Sequence, residues 1–150
     1  MNIVRTGDKF VFQIGTRERN LLFGVLKLYP CIPAAHRLKQ LERLPDSSKK
    51  LLDEALAEQR TENKKQLDSF LSRPDRFEQT EHGWRFSLSS SELEWLLQIL
   101  NDIRIGSWIK LGSPDEKRGI GLLDKESAAD FWAMELAGAL QMQMLHALKG

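Results

Sequence analysis

Apolar side chains recur along this chain with two periods, and the change from one to the other outlines the fold. In Lys9–Ile14 (KFVFQI), Phe10, Phe12 and Ile14 alternate with Val11 and Gln13, which predicts a strand with one buried face. Gly15 ends it, and Thr16 is placed to cap the helix that follows. Leu21, Leu22, Val25, Leu26, Leu28 and Tyr29 make that helix strongly apolar until Pro30 stops it. Pro33 opens a shorter helix with Leu38, Leu41 and Leu44 on one side, broken at Pro45-Asp46. Asp46 or Ser47 then starts a long helix toward Ser72, striped by Leu52, Ala55 and Leu56 and again by Leu67, Phe70 and Leu71. Ala57–Gln66 between these groups has no large apolar side chain. Leu56 and Leu67 nevertheless stay in phase, so one continuous rod with a solvated middle is expected.

Period two returns in 77–80 and 84–88. These segments flank Glu81-His82-Gly83, a hairpin turn, and Trp84, Phe86 and Leu88 alternate with Arg85 and Ser87. Paired with 9–14 they predict a small three-stranded antiparallel sheet, which needs a cover because a bare hairpin is marginal. Ser89–Gly112 follows, apolar on almost every side, with Ser-x-x-Glu capping boxes at Ser89/Glu92 and Ser91/Glu94. Ser113-Pro114-Asp115-Glu116 signals a further short helix, stopped at Gly119. Asp124 is placed to cap a last helix that runs to about Leu148. The expected fold is mainly α in the α+β sense. It is a single domain over 1–150, a helical bundle of about five helices with the small sheet packed at one side.

The polar residues inside the most apolar helix are the first candidates for function, since a polar group sunk in a core must find a partner or serve a purpose. At 100° per residue, Glu94, Gln98 and Asn101 form one stripe that continues into Ile105 and Trp108. Asp102 lies to one side of the stripe and Arg104 to the other. Residues two apart do not face each other, so each must be satisfied by a different element. Two readings of Asn101, Asp102, Arg104 and Trp108 follow. In one they are a buried polar network that fixes how helices meet. In the other they line a recognition pocket, with Arg104 as a forked donor for a carboxylate or phosphate and Trp108 as an apolar wall.

Composition narrows the remaining chemistry. The 150 residues carry 22 basic and 21 acidic side chains, a net charge of +1, so no global field attracts nucleic acid or an anionic surface. Arg17, Arg19 and Arg37 do not change that balance. No apolar run reaches the ~18 residues of a membrane span. Cys31 is the one cysteine, and no basic-then-apolar leader opens the chain, which points to a reducing cytoplasm. Cys31 itself reads as a packed small residue between Pro30 and Pro33. His36, His82 and His146 have no second ligand at metal spacing, so neither a metal nor another cofactor is expected. Gly119-Ile120-Gly121 is too short for a phosphate loop. No catalytic pair is visible. Met134, Met142 and Met144 give the last helix a pliable face.

Two stretches, Glu18-Arg19-Asn20-Leu21-Leu22 and Leu100-Asn101-Asp102-Ile103-Arg104 with Leu111-Gly112 behind it, carry a resemblance. The chain resembles a bacterial domain-of-unknown-function family of small helical proteins with a Leu-Asn-Asp-x-Arg helix. The resemblance implies a mostly helical fold in a cytoplasmic bacterial protein, implies no activity, and directs attention to Asn101, Asp102 and Arg104. With no catalytic pair, metal set or phosphate loop visible, and with more apolar surface than a lone small domain needs, the expectation is a non-enzymatic regulatory or adaptor-type domain that binds a protein partner and self-associates as a homodimer through the last helix. The alternative is an enzyme or small-anion-binding protein with a pocket around Asn101, Asp102 and Arg104.

Overall fold

The computed structural model describes residues 1–33, 36, 39, 42–113 and 125–149. Strands β1 (Asn2–Thr6) and β2 (Lys9–Ile14) lead into helix α1 (Thr16–Leu26), and the long helix α2 spans Asp46–Ser72. A turn of 3-10 helix at Pro74–Arg76 precedes β3 (Glu78–Thr80) and β4 (Gly83–Ser89). Helices α3 (Ser90–Lys110) and α4 (Lys125–Lys149) complete the chain.

The sheet is antiparallel with order β1-β2-β4-β3. Both hairpins turn on two residues, Gly7-Asp8 between paired Thr6 and Lys9, and Glu81-His82 between paired Thr80 and Gly83. Gly7 takes φ +65°, the left-handed conformation that a tight hairpin requires. Gly83 serves closeness as well as conformation: a Cβ there would collide with the Ile14 carbonyl at the end of β2. Pairing sets Phe12 on Phe86 and Phe10 on Leu88, so the alternating apolar residues of β2 and β4 share one face. That face is buried under the helices, while Lys9, Gln13 and Ser87 look to solvent from the other.

The core between sheet and helices is dominated by aromatic rings. Phe12 stacks on Phe86 with centroids 4.7 Å apart, and Phe70 meets Phe77, Phe86 and Trp95 edge-on. Each such pair contributes roughly 0.5–1.5 kcal/mol beyond its buried area. Phe70 and Leu67 are also the buried residues of α2. This 27-residue helix is about 40 Å long, and its amino-terminal half keeps Leu51, Leu52 and Leu56 exposed. The middle of the rod is helical as its spacing predicts, but Leu52 and Leu56 do not join the core that Leu67 and Phe70 enter. The core is reached only by the last turns, where the rod meets the sheet.

Four helices stand among the described residues, fewer than the five or so expected. Half of the helix expected from Pro33 to Leu44 falls outside the described residues. The one expected at Pro114–Gly119, and the Asp124 cap, fall outside them entirely. The sheet has four strands instead of three. β1 gives little periodic signal because Ile3 is its one half-buried residue and the others are exposed. At α1 the cap is Gly15 rather than Thr16. The Glu18 carboxylate reaches back to accept the Gly15 N–H at 3.1 Å and also pairs with the amino group of Met1. β3 begins one residue later than expected, with Phe77 already turned into the ring cluster. Among the described residues no helix is long and apolar enough to cross a membrane.

Candidate functional site

α3 is the axis on which the rest is assembled. Ser89 Oγ accepts the Glu92 N–H and Glu92 Oε1 accepts the Ser89 N–H, both at 3.1 Å, so the first of the two possible capping boxes sets the start. Arg76 holds the other oxygen of Glu92 at 2.7 Å and ties this start to the turn before β3. Burial works against the Glu92 carboxylate, but the Ser89 N–H and Arg76 outweigh it and hold its pKa below the usual range. Leu93, Leu96, Ile99, Leu100 and Ile103 are fully buried, which places the helix inside the protein.

The polar residues of its second half divide between two sides. Asp102 faces the loop that leaves α1. Its Oδ1 accepts the Cys31 N–H at 2.6 Å, and the Ile32 N–H also supports the carboxylate. One turn on, Gly106 lies against the same loop so closely that a Cβ would collide with the Cys31 backbone. Asp102 and Gly106 thus form a slot, one bonding the loop and the other admitting it. Burial raises the Asp102 pKa even though these amides oppose it, and burial likewise raises that of the Tyr29 phenol. Cys31 is buried, its Sγ donates to the Leu28 carbonyl at 3.1 Å, and desolvation pushes its pKa up to about 11. Such a thiol is not a nucleophile at neutral pH. α2 closes over the loop: Arg60 donates to the Ile32 carbonyl at 3.2 Å and Asn63 to the Tyr29 hydroxyl at 3.2 Å. A cavity of about 230 Å³ remains between α2 and Asp102. Most of its polar lining is already paired with the protein itself.

Arg104 lies roughly 160° around the helix from Asp102 and faces α4. Its Nη2 donates to Asn101 Oδ1 at 2.9 Å and its Nε to Gln141 Oε1 at 3.0 Å. Gln141 in turn donates to the Leu97 carbonyl at 3.4 Å. Three side chains therefore hold one another across the α3–α4 seam, and the Arg104 stem rests beside Gly138, where no side chain competes for space. Above them opens a groove of about 730 Å³, lined by Asn101, Arg104 and the α4 residues from Met134 to Leu145. Its apolar wall is exposed: Met142 shows 62% of its surface and Leu145 46%. Trp108 stands one turn beyond Arg104 on the same side of α3 and is 38% exposed.

The structure thus brings Asn101 and Arg104 together, keeps Trp108 on their side, and sets Asp102 apart from all three. Gly106, Gln141 and the Cys31 loop complete the two clusters. The signal for Gly106 was its i+4 spacing from Asp102, which puts both on one face; that for Gln141 was its place as a polar residue in an apolar helix. Another cleft, about 380 Å³ beside Lys9, Arg73 and Arg85, has its charges partly closed into the pairs Arg76–Glu92 and Arg85–Glu78. Among the described residues no three His, Cys, Asp or Glu side chains gather to hold a metal ion. Comparison with protein-family models, with curated proteins and with solved structures finds no match to this chain.

Proposed function

We propose that this protein is a non-enzymatic regulatory or adaptor-type domain of the reducing cytoplasm, and that it binds another polypeptide in the groove between α3 and α4. The observation that carries the reading is the union, in one open groove, of exposed Met142 and Leu145 with an arginine held at a fixed angle by Asn101 and Gln141. An amphipathic helix fits such a surface: its apolar side covers the methionine and leucine, and an acidic residue on its edge meets the guanidinium fork. Methionine adapts to differently shaped partners. The alternative, an enzyme or small-anion site built on Asn101, Asp102 and Arg104, has less support because Asp102 faces the Cys31 loop and is occupied there.

A selection from a displayed library of peptides of about 20 residues, counter-selected on the Met142→Glu variant, tests the reading. The expected winners carry apolar residues at i, i+3 or i+4 and i+7 with an acid beside them, and lose binding to Arg104→Ala. A selection that enriches nothing over the counter-selected variant overturns it.

A further inference from the structure

The outward side of α4 has a pattern of its own. Trp132, Glu135, Ala139, Met142, His146 and Lys149 are all exposed and follow one another at alternating steps of three and four residues. The opposite side, with Ala133, Ala137, Leu140 and Met144, is buried in the protein's own core. Steps of three and four residues place these side chains on one continuous face along the helix. On a face that stays in water charge would dominate, whereas a face poor in charge can be covered by another helix. Here one acid and one lysine share the stripe with a tryptophan, a methionine, an alanine and a histidine.

We propose, resting on the groove reading above, that the occupant is a second copy of this chain, with the two α4 helices lying antiparallel across a two-fold axis. The residue types select the arrangement. Run antiparallel, the seam sets Ala139 opposite Met142 of the second copy, Glu135 opposite His146, and Trp132 opposite Lys149. A small residue meets a large one, a carboxylate meets an imidazole, and an aromatic face meets an ammonium group. By symmetry each match is made twice. On the flank of the same pairing Leu145 rides over the second copy's Gly138, so the partner's leucine and methionine enter the groove beside Arg104. Run parallel and in register, Glu135 would instead face Glu135 and Lys149 would face Lys149. Slipped back by one heptad, the antiparallel pair would set Glu135 against Ala139 and leave the carboxylate without a polar partner. A polar pair within an apolar seam fixes register in this way.

Light scattering on the full chain at concentrations up to about 0.5 mM tests the pairing. The wild type is expected to give twice the monomer mass at the upper concentrations. Glu135→Lys sets like charges against each other and should weaken association at least about tenfold, a modest effect for a like-charge contact in an interface. The double variant Glu135→Lys, His146→Glu reverses both members of the pair and should recover the wild-type affinity to within about threefold. Both substituted positions, Glu135 and His146, are exposed, so far-UV circular dichroism is expected to be unchanged throughout. A wild type that stays monomeric at every concentration overturns the proposal, as does a dimer indifferent to Glu135→Lys or not restored by the double variant. Peptide selection that succeeds on a strictly monomeric protein would remove the second copy and leave the groove reading standing.

Discussion

The two sides of α3 meet their neighbours in opposite ways. On one side Asp102 and Gly106 receive a loop from far back in the chain, and the contact is closed: a charge-assisted hydrogen bond of 2.6 Å, a backbone approach that excludes a methyl group, and α2 laid over the top. On the other, Asn101 and Gln141 hold Arg104 at 2.9 and 3.0 Å, yet the guanidinium remains at the surface of an open groove. The same stretch of helix thus carries one polar cluster that fastens the molecule to itself and one that is presented outward. Energetically the two are unlike. A buried acceptor whose removal strands an amide costs the full desolvation of that amide, whereas an exposed cluster exchanges its hydrogen bonds with water at little net loss.

The most severe test of this contrast is Gly106→Ala. The new Cβ would occupy the position of the Cys31 backbone, and backbone does not step aside as a side chain does. Stability should fall by at least about 2 kcal/mol even after the roughly 1 kcal/mol that alanine adds as helix propensity. Urea denaturation reads this, and an unchanged midpoint would mean that helix and loop are not in contact. Asp102→Ala comes next, with an expected loss of about 1.5–3 kcal/mol, because the Cys31 amide is left buried without an acceptor. Asp102→Asn keeps an acceptor and should retain most of that stability; equal losses in the two variants would show that charge, not hydrogen bonding, holds the loop. Arg104→Ala should cost less than about 1 kcal/mol, as its partners are solvated, while removing the proposed binding of an acidic helix in the groove. A loss as large as that of Asp102→Ala would erase the distinction between the two sides.

The smallest effect is a difference in sign with pH. The Glu92 carboxyl is held low in the folded protein, so its contribution is present above the ordinary glutamate range and is lost as the pH falls below it. Asp102 is raised by burial, so its contribution is complete below the ordinary aspartate range and declines as the pH rises through its elevated value. Denaturation midpoints collected from about pH 3 to pH 7 should therefore change slope in opposite directions in Glu92→Gln and Asp102→Asn relative to the wild type. Parallel changes would count against the buried setting of Asp102.

Much of the architecture was legible because periodicity and caps agree. Phe10, Phe12, Phe86 and Leu88 announce a sheet with one covered face, and Leu93, Leu96, Leu100 and Ile103 announce an interior helix opened by Ser89 and Glu92. Even the parting of Asp102 from Arg104 follows from helical geometry, since two residues turn the direction through most of a half-circle. Spacing does not reveal what stands at the end of each direction. The partner of Asp102 is a backbone amide 71 residues away, a donor that every residue type but proline possesses and that leaves no trace in composition. Gln141 is 37 residues from Arg104, in a helix that reads as apolar core. β1 escaped for a different reason: as an edge strand it buries almost nothing, so its pairing to β2 rests on main-chain hydrogen bonds and on the Gly7 turn, to which hydrophobic pattern is blind.

The thiol at the centre of the closed side makes the molecule its own stopwatch. Cys31 is the single cysteine of the sequence, it is buried, and with a pKa of about 11 it is almost wholly protonated at neutral pH. An alkylating reagent meets it when the loop lifts off Gly106, so the rate of labelling follows the fraction of time the slot stands open. No probe has to be introduced, and every variant of the slot can be ranked by how much of the time it is open.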